Sequence, residues 1–182
     1  MTPPRSMHDT SATKLDASNL RIGIAVSRYH GEVTAALLKG ATQSFRDVGG
    51  RDEAIETFDV PGTWELTAIC RAIAMLESGE GRPTFDAIVA LGCILTGETT
   101  HDQYIAQSVT QGLTAITIET GTPIAFGVLT CQTIEQARAR AGLAARPGAH
   151  GGTANKGVEA MQAAIAAALA VRRIRERDRS VR

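Results

Sequence analysis

The sequence predicts an α/β fold: a three-layer αβα sandwich around a central, mainly four-stranded parallel sheet of the doubly wound kind. Three observations carry the prediction. Short apolar runs alternate with longer stretches that repeat apolar residues at helical spacing. The connections are short and marked by Gly and Pro, which suits crossovers between parallel strands. The run Ala87-Ile88-Val89-Ala90-Leu91 is apolar at every position, as expected of a strand covered on both faces.

Residues 1–18 are rich in Thr, Pro, Ser, Asp and His and carry too little apolar surface to fold, so a disordered tail is expected there. One folded domain is placed at 19–175 and a basic tail at 176–182. Leu20 to Ser27 reads as the first strand. A helix follows from Gly31 to Val48, with Leu37, Leu38, Ala41, Phe45 and Val48 on one face and Gly49-Gly50 ending it. Ala54 to Val60 is the second strand, stopped by Pro61-Gly62. Thr63 is placed as the cap of a helix from Trp64 to Glu77 with apolar positions Leu66, Ile69, Ile73 and Leu76. Gly79, Gly81 and Pro83 turn the chain into a strand from Phe85 to Leu91. A helix from Asp102 to Ile118 points Ile105, Val109, Leu113 and Ile116 inward. Pro123 to Thr130 is the fourth strand and Thr133 to Ala141 a short helix. Gly142 to Asn155 is a Gly/Ala/Pro loop, and Val158 to Ile174 is the last helix, with Val158, Met161, Ile165 and Leu169 inward. From Arg172 to Arg182 six arginines face two acids, the make-up of a solvated helix end.

In such a sheet, ligands bind outside the carboxyl ends of the strands. Tyr29, Trp64, Glu65 and His101 all follow expected strand ends, and Phe126 lies within the last strand. The densest stretch is Leu91 to Tyr104. Gly92 and Gly97 allow a loop whose backbone approaches a ligand closely. Thr99 and Thr100 are good caps, and the helix they open offers free N–H groups and a positive dipole end, a seat for phosphate. His101, just inside, can move protons near neutral pH. An anion seat beside a proton carrier points to chemistry on a phosphorylated small molecule. The same pattern also serves as an ordinary helix start with a surface histidine.

Composition narrows the rest. Lys plus Arg equals Asp plus Glu at 19 each, which leaves no global basic excess for nucleic acid or an anionic membrane. Aromatics at 4% argue against a base-stacking surface for single strands. Cys70, Cys93 and Cys131 have no C-x-x-C spacing and read as buried thiols of a reducing compartment, with no metal site. No apolar run reaches the length of about 18 residues that a membrane helix needs. Met1 to Asn19 lacks the apolar segment of a secretory signal, so a cytoplasmic location is expected. No G-x-G-x-x-G follows the first strand, which gives a dinucleotide site little support.

Separated segments line up with one family. They are Ser27-Arg28-Tyr29, the V-P-G-x-x-E of Val60 to Glu65, the G-E-T-T-H of Gly97 to His101, Gly121 to Thr130, the E-Q-A-x-x-R-A-G of Glu135 to Gly142, and Asn155-Lys156-Gly157. Together these resemble the lumazine synthase family, over about Leu20 to Leu169. The resemblance implies a flavodoxin-like fold and the penultimate step of riboflavin biosynthesis. In that step 5-amino-6-(D-ribitylamino)uracil condenses with 3,4-dihydroxy-2-butanone 4-phosphate to give 6,7-dimethyl-8-ribityllumazine, phosphate and water. No metal or organic cofactor is implied.

Residue by residue, the resemblance implies that Tyr29 stacks on the pyrimidine, where one stacked base contributes on the order of 1–3 kcal/mol. It makes Glu65 an acceptor for uracil N–H groups, framed by Thr63 and Trp64. Cys93, Ile94 and Leu95 line the pyrimidine pocket, and Lys156 helps to hold that substrate. The backbone at Glu98 and Thr99 grips the phosphate together with Arg140, whose planar fork suits a phosphate better than a lysine does. His101 relays protons as the catalytic residue, and Phe126 comes from a neighbouring subunit. The family's unit is a homopentamer with shared active sites, and some members close pentamers into icosahedral shells; riboflavin synthase is a further implied partner.

The sequence also departs from the pattern. Thr96 stands where a basic residue is common, and Gln103 replaces the usual acid two places after the histidine, with Asp102 one place earlier. The stretch Leu143 to Ala154 lengthens a connection that shell-forming members keep short, so a free pentamer, or a decamer, is expected. A non-catalytic flavin- or lumazine-binding paralogue and an archaeal-type riboflavin synthase are the alternatives of similar architecture.

Overall fold

The computed structural model describes residues 15–79, 81–143 and 155–181. In chain order they form β1 (Ile22–Ser27), α1 (Gly31–Asp47), a 3-10 turn (Asp52–Ala54), β2 (Ile55–Val60), α2 (Leu66–Ala74), β3 (Glu77–Ser78), β4 (Arg82–Pro83), β5 (Ala87–Leu95), α3 (His101–Thr120), β6 (Ile124–Cys131), α4 (Ile134–Arg140) and α5 (Lys156–Val181).

β1 is buried at all six positions, as befits a strand paired on both edges and covered on both faces. It pairs in parallel with β2 on one side and β5 on the other, and β5 pairs in parallel with β6. The four-stranded order is therefore β2-β1-β5-β6. Winding reverses between β1 and β5, so a crevice opens at their carboxyl ends. One face packs Ile22, Ile24, Val89 and Leu91 against Leu37 and Phe45 of α1 and Met161 and Ile165 of α5. The other packs Ala25, Ile88, Ala90 and Val128 against Leu66, Cys70 and Ile73 of α2 and Val109, Leu113 and Ile116 of α3. Each fully buried Leu, Ile or Phe contributes about 1.5–3 kcal/mol. This is the expected three-layer αβα sandwich.

Two polar fasteners hold α5. Arg172 donates from Nε and Nη2 to the two carboxylate oxygens of Asp86, and also to the Asn19 carbonyl, each at 2.8 Å. At the other end, Asn155 Nδ2 donates to the carbonyls of Ala36 and Ala141, while its Oδ1 accepts from the Gly157 N–H, each at 2.8 Å. One side chain thereby ties α1, α4 and α5 together.

Several sequence expectations are corrected. Helix α2 begins at Leu66, not Trp64, because residues 63–65 form a turn. The Thr63 hydroxyl does not cap it and instead donates to the Cys93 carbonyl at 3.4 Å. The helix ends at Ala74, which leaves Leu76 outside it and exposed. Leu38 and Val48 do pack against the core from the expected face, half-buried at its margin. The segment after Leu76 makes a small antiparallel hairpin, β3 with β4, where only a turn is expected. β5 does not stop at Leu91 but runs through Gly92 to Leu95. Gly92 sits in that strand opposite Val128, and a Cβ there would meet the Thr63 side chain at 3.0 Å and Leu66 Cδ1 at 3.1 Å. The close approach that requires a glycine is thus made by the protein's own 63–66 turn. Helix α5 reaches Val181, through most of the stretch read as a basic tail. Leu15 to Ser18 lie within the stretch read as a disordered tail, yet Ala17 is fully buried and its N–H donates to the Val48 carbonyl. Residues 1–14 and 144–154, with Arg146 and His150, lie outside the described residues. Among the described residues no helix is long and apolar enough to cross a membrane.

Candidate active site

Three segments converge at the carboxyl edge of the sheet. After β1 the chain turns sharply. The Ser27 hydroxyl is buried and accepts from the Tyr29 N–H at 3.2 Å, and the Arg28 N–H donates to the Val60 carbonyl at 2.7 Å. That turn leaves Tyr29 65% exposed at the rim, free to cover a flat ligand. His30 follows in the left-handed region, at φ 56° and ψ 48°, with its ring edge-on to Tyr29 at 4.7 Å between centroids. After β2, Pro61 to Glu65 fold over the end of β5, and a Cβ on Gly62 would lie 2.8 Å from Glu65 Oε2. A side chain at position 62 would therefore push the Glu65 carboxylate aside from this folded-back position. β5 itself delivers Cys93, Ile94 and Leu95, and α3 opens beyond it at His101, whose cap residue Thr100 makes no side-chain capping bond.

These segments enclose a cavity of about 500 Å³ lined by Tyr29, His30, Gly62 to Glu65, Cys93 to Gly97, Thr99, His101, Asp102 and Ile105. Its charges are informative. Two carboxylates, Glu65 and Asp102, and two imidazoles line it, and among the described residues no lysine or arginine does. Burial lowers the His30 imidazole below its ordinary pKa, and burial, with the neighbouring Cys131, pushes the Cys93 thiol up to about 11. Cys93 is thus a neutral wall rather than a nucleophile.

The structure brings together Tyr29, Thr63, Trp64, Glu65, Cys93, Ile94, Leu95, Thr99 and His101. It does not bring the remainder to them. Phe126, Arg140 and Lys156 line a second cavity of about 520 Å³ along β6 and the start of α5. Phe126, part of edge strand β6, is 45% exposed. Arg140 stands beside the Cys131 thiol, and Lys156 Nζ lies 2.6 Å from Glu159 Oε2. Glu98 is exposed and lines neither cavity. Among the described residues no group of three or more His, Cys, Asp or Glu is placed to hold a metal ion.

Comparison with known proteins decides the family. The family model described as 6,7-dimethyl-8-ribityllumazine synthase matches residues 19–172. Proteins of that name from Renibacterium salmoninarum and Streptomyces coelicolor are 40% and 38% identical, over 87% and 88% of this chain and 94% and 91% of theirs. One from Cutibacterium acnes is 41% identical over 84% of this chain and 82% of its own. The chain belongs to the 6,7-dimethyl-8-ribityllumazine synthase family.

The family match spans both cavities, from the strand before Tyr29 to the helix that carries Lys156. Within this lumazine synthase chain, sequence reasoning passed over His30. The available signal was a histidine between an aromatic and a glycine at the end of a buried strand. Its left-handed backbone costs about 1–2 kcal/mol, the kind of strain that gathers at functional sites.

Proposed function

We propose that the chain makes 6,7-dimethyl-8-ribityllumazine, condensing 5-amino-6-(D-ribitylamino)uracil with 3,4-dihydroxy-2-butanone 4-phosphate and releasing phosphate and water. The observation that carries this reading is the first cavity, which sets an aromatic face, a carboxylate acceptor and an imidazole around one space with room for a substituted pyrimidine. Tyr29 stacks on the uracil, Glu65 accepts from its N–H groups, and Thr63, Trp64, Cys93, Ile94 and Leu95 form the walls. The substrate's own amine attacks the ketone, so no enzyme nucleophile is needed. His101 then relays protons during dehydration and loss of phosphate, the acid–base role in which histidine is most often found. Orientation of two bound reactants supplies much of the acceleration.

The phosphate sits at the start of α3, beside the backbone of Glu98 and Thr99. Its counter-charge comes from a second copy of the chain. Among the described residues no Lys or Arg lines the first cavity, which supports this, as does the company that Arg140 and Lys156 keep with Phe126 in the second. If Phe126 is contributed by a neighbour, the two cations arrive with it as one block. The assembly is a homopentamer that the long connection before α5 keeps free of shell formation, and it operates in the cytoplasm. The deciding assay mixes the purified protein with both substrates and follows lumazine by absorbance. Turnover is the expected result; tight lumazine or flavin binding without turnover would mark a non-catalytic paralogue instead.

A further inference from the structure

Asp102 occupies a position that the helix pattern reserves for an apolar side chain. On α3 the inward stripe runs Ile105, Val109, Leu113 and Ile116, and Asp102 stands one turn ahead of Ile105 on the same stripe. His101, its neighbour, is exposed, whereas Asp102 is half-buried and borders the first cavity. Its Oδ1 is shut from solvent with no hydrogen-bond partner, one of two such side-chain atoms among the described residues. A buried carboxylate oxygen without a donor is costly. The dipole of α3 favours an acid in the first turn wherever it points, and an outward-facing position would supply that without burying an oxygen.

We infer that Asp102 is a specificity-determining residue of the pyrimidine half of the site, its carboxylate accepting a hydrogen bond from an N–H or O–H of that substrate. The inference rests on reading the first cavity as the pyrimidine pocket. Asp102 joins Glu65 as a second carboxylate at the wall of this cavity, and acceptor-only groups of this kind suit a neutral partner rich in donors. Adjacent helix residues do not face one another, so Asp102 does not orient the His101 imidazole. A carboxylate turns readily about its last torsion, which lets either oxygen meet a ligand at the cavity wall.

The test is steady-state kinetics of wild type, Asp102→Leu and Asp102→Asn, each first checked for folding by thermal melting. Asp102→Leu continues the apolar stripe, so its melting temperature is expected to stay level or rise. Its KM for the ribitylaminouracil should rise about tenfold to a hundredfold, while its KM for the butanone phosphate moves less than about twofold. Asp102→Asn keeps an acceptor and should lose less. An unchanged uracil KM in folded Asp102→Leu, or an equal rise in both KM values, overturns the inference. Failure of the functional reading is seen separately, as a wild type that makes no lumazine. In that event the uracil substrate is titrated against the fluorescence of Trp64, the sole tryptophan and a cavity wall. No binding, or equal binding by wild type and Asp102→Leu, then overturns the role of Asp102.

Discussion

Arg138 donates from both Nε and Nη2 to a single oxygen, Glu32 Oε2, at 3.1 and 2.8 Å. That bond fastens α4 to the first turn of α1 and occupies Arg138. Arg140, two residues later, has no carboxylate partner among the described residues and lines the cavity that also holds Phe126 and Lys156. Arg140→Ala is therefore expected to raise KM for the butanone phosphate about tenfold or more, the loss of a charge-assisted bidentate contact. Arg138→Ala should leave both KM values alone. It should also leave the urea midpoint nearly unchanged, because the pair is largely exposed and screened by solvent. Kinetics and urea melts of the two variants separate these outcomes.

A site divided between two copies can be repaired by mixing. His101→Ala and Arg140→Ala, each poorly active alone, should recover activity when unfolded together and refolded, because some interfaces then pair an intact first cavity with an intact second. Activity no higher than the mean of the two parents would place the whole site within one chain. The refolded particle should weigh about 96 kDa by light scattering, five chains of 19.2 kDa each.

His101→Ala should lower kcat by about a hundredfold, in the usual range for general acid–base groups, yet leave a residual rate from reactant orientation. Retention of full kcat in single-turnover experiments would remove the proton relay from this residue.

Gly92→Ala is expected to cost about 1–3 kcal/mol, since the new methyl meets Thr63 and Leu66 at 3.0–3.1 Å and the 63–66 turn has to move. The same shift displaces Glu65, so the uracil KM should rise along with the fall in melting temperature.

Burial pushes the Cys70 thiol up to about 12 from an ordinary value of 9.0. A raised thiol pKa means that the folded state holds its proton more tightly than the unfolded chain. Stability is unaffected below pH 9 and falls as pH climbs from about 9 toward 12, by about 1.4 kcal/mol per pH unit from this group. Urea midpoints should drop between pH 8 and 10.5, and Cys70→Ala should flatten the drop in part, because Cys93 titrates in the same direction.

The layers of the fold were legible because burial on both faces leaves an uninterrupted apolar run at β5, and helix stripes such as Val109, Leu113 and Ile116 announce themselves by spacing. Element ends were less legible. Gly92 read as a loop residue because spacing cannot tell a glycine that frees the backbone from one that makes room for Thr63. Thr63 read as a cap because a hydroxyl's partner is chosen by the folded chain, here the Cys93 carbonyl thirty residues away. Tyr29, Glu65 and His101 could be nominated from strand ends and family motifs. The partition of Phe126, Arg140 and Lys156 into a separate cavity could not, because it depends on where β6 lies in the sheet. His30 escaped because its distinguishing mark is a backbone angle.

The Asn155 fastener resets the path of the chain immediately before α5. Whatever precedes it, α5 starts against the Ala36 and Ala141 carbonyls, at a place set by one amide. The length and composition of the connection after α4 are in this way insulated from the catalytic geometry. A change in the length of that connection is expected to leave Lys156 beside Phe126 and Arg140, because the amide that seats α5 lies between them and the change.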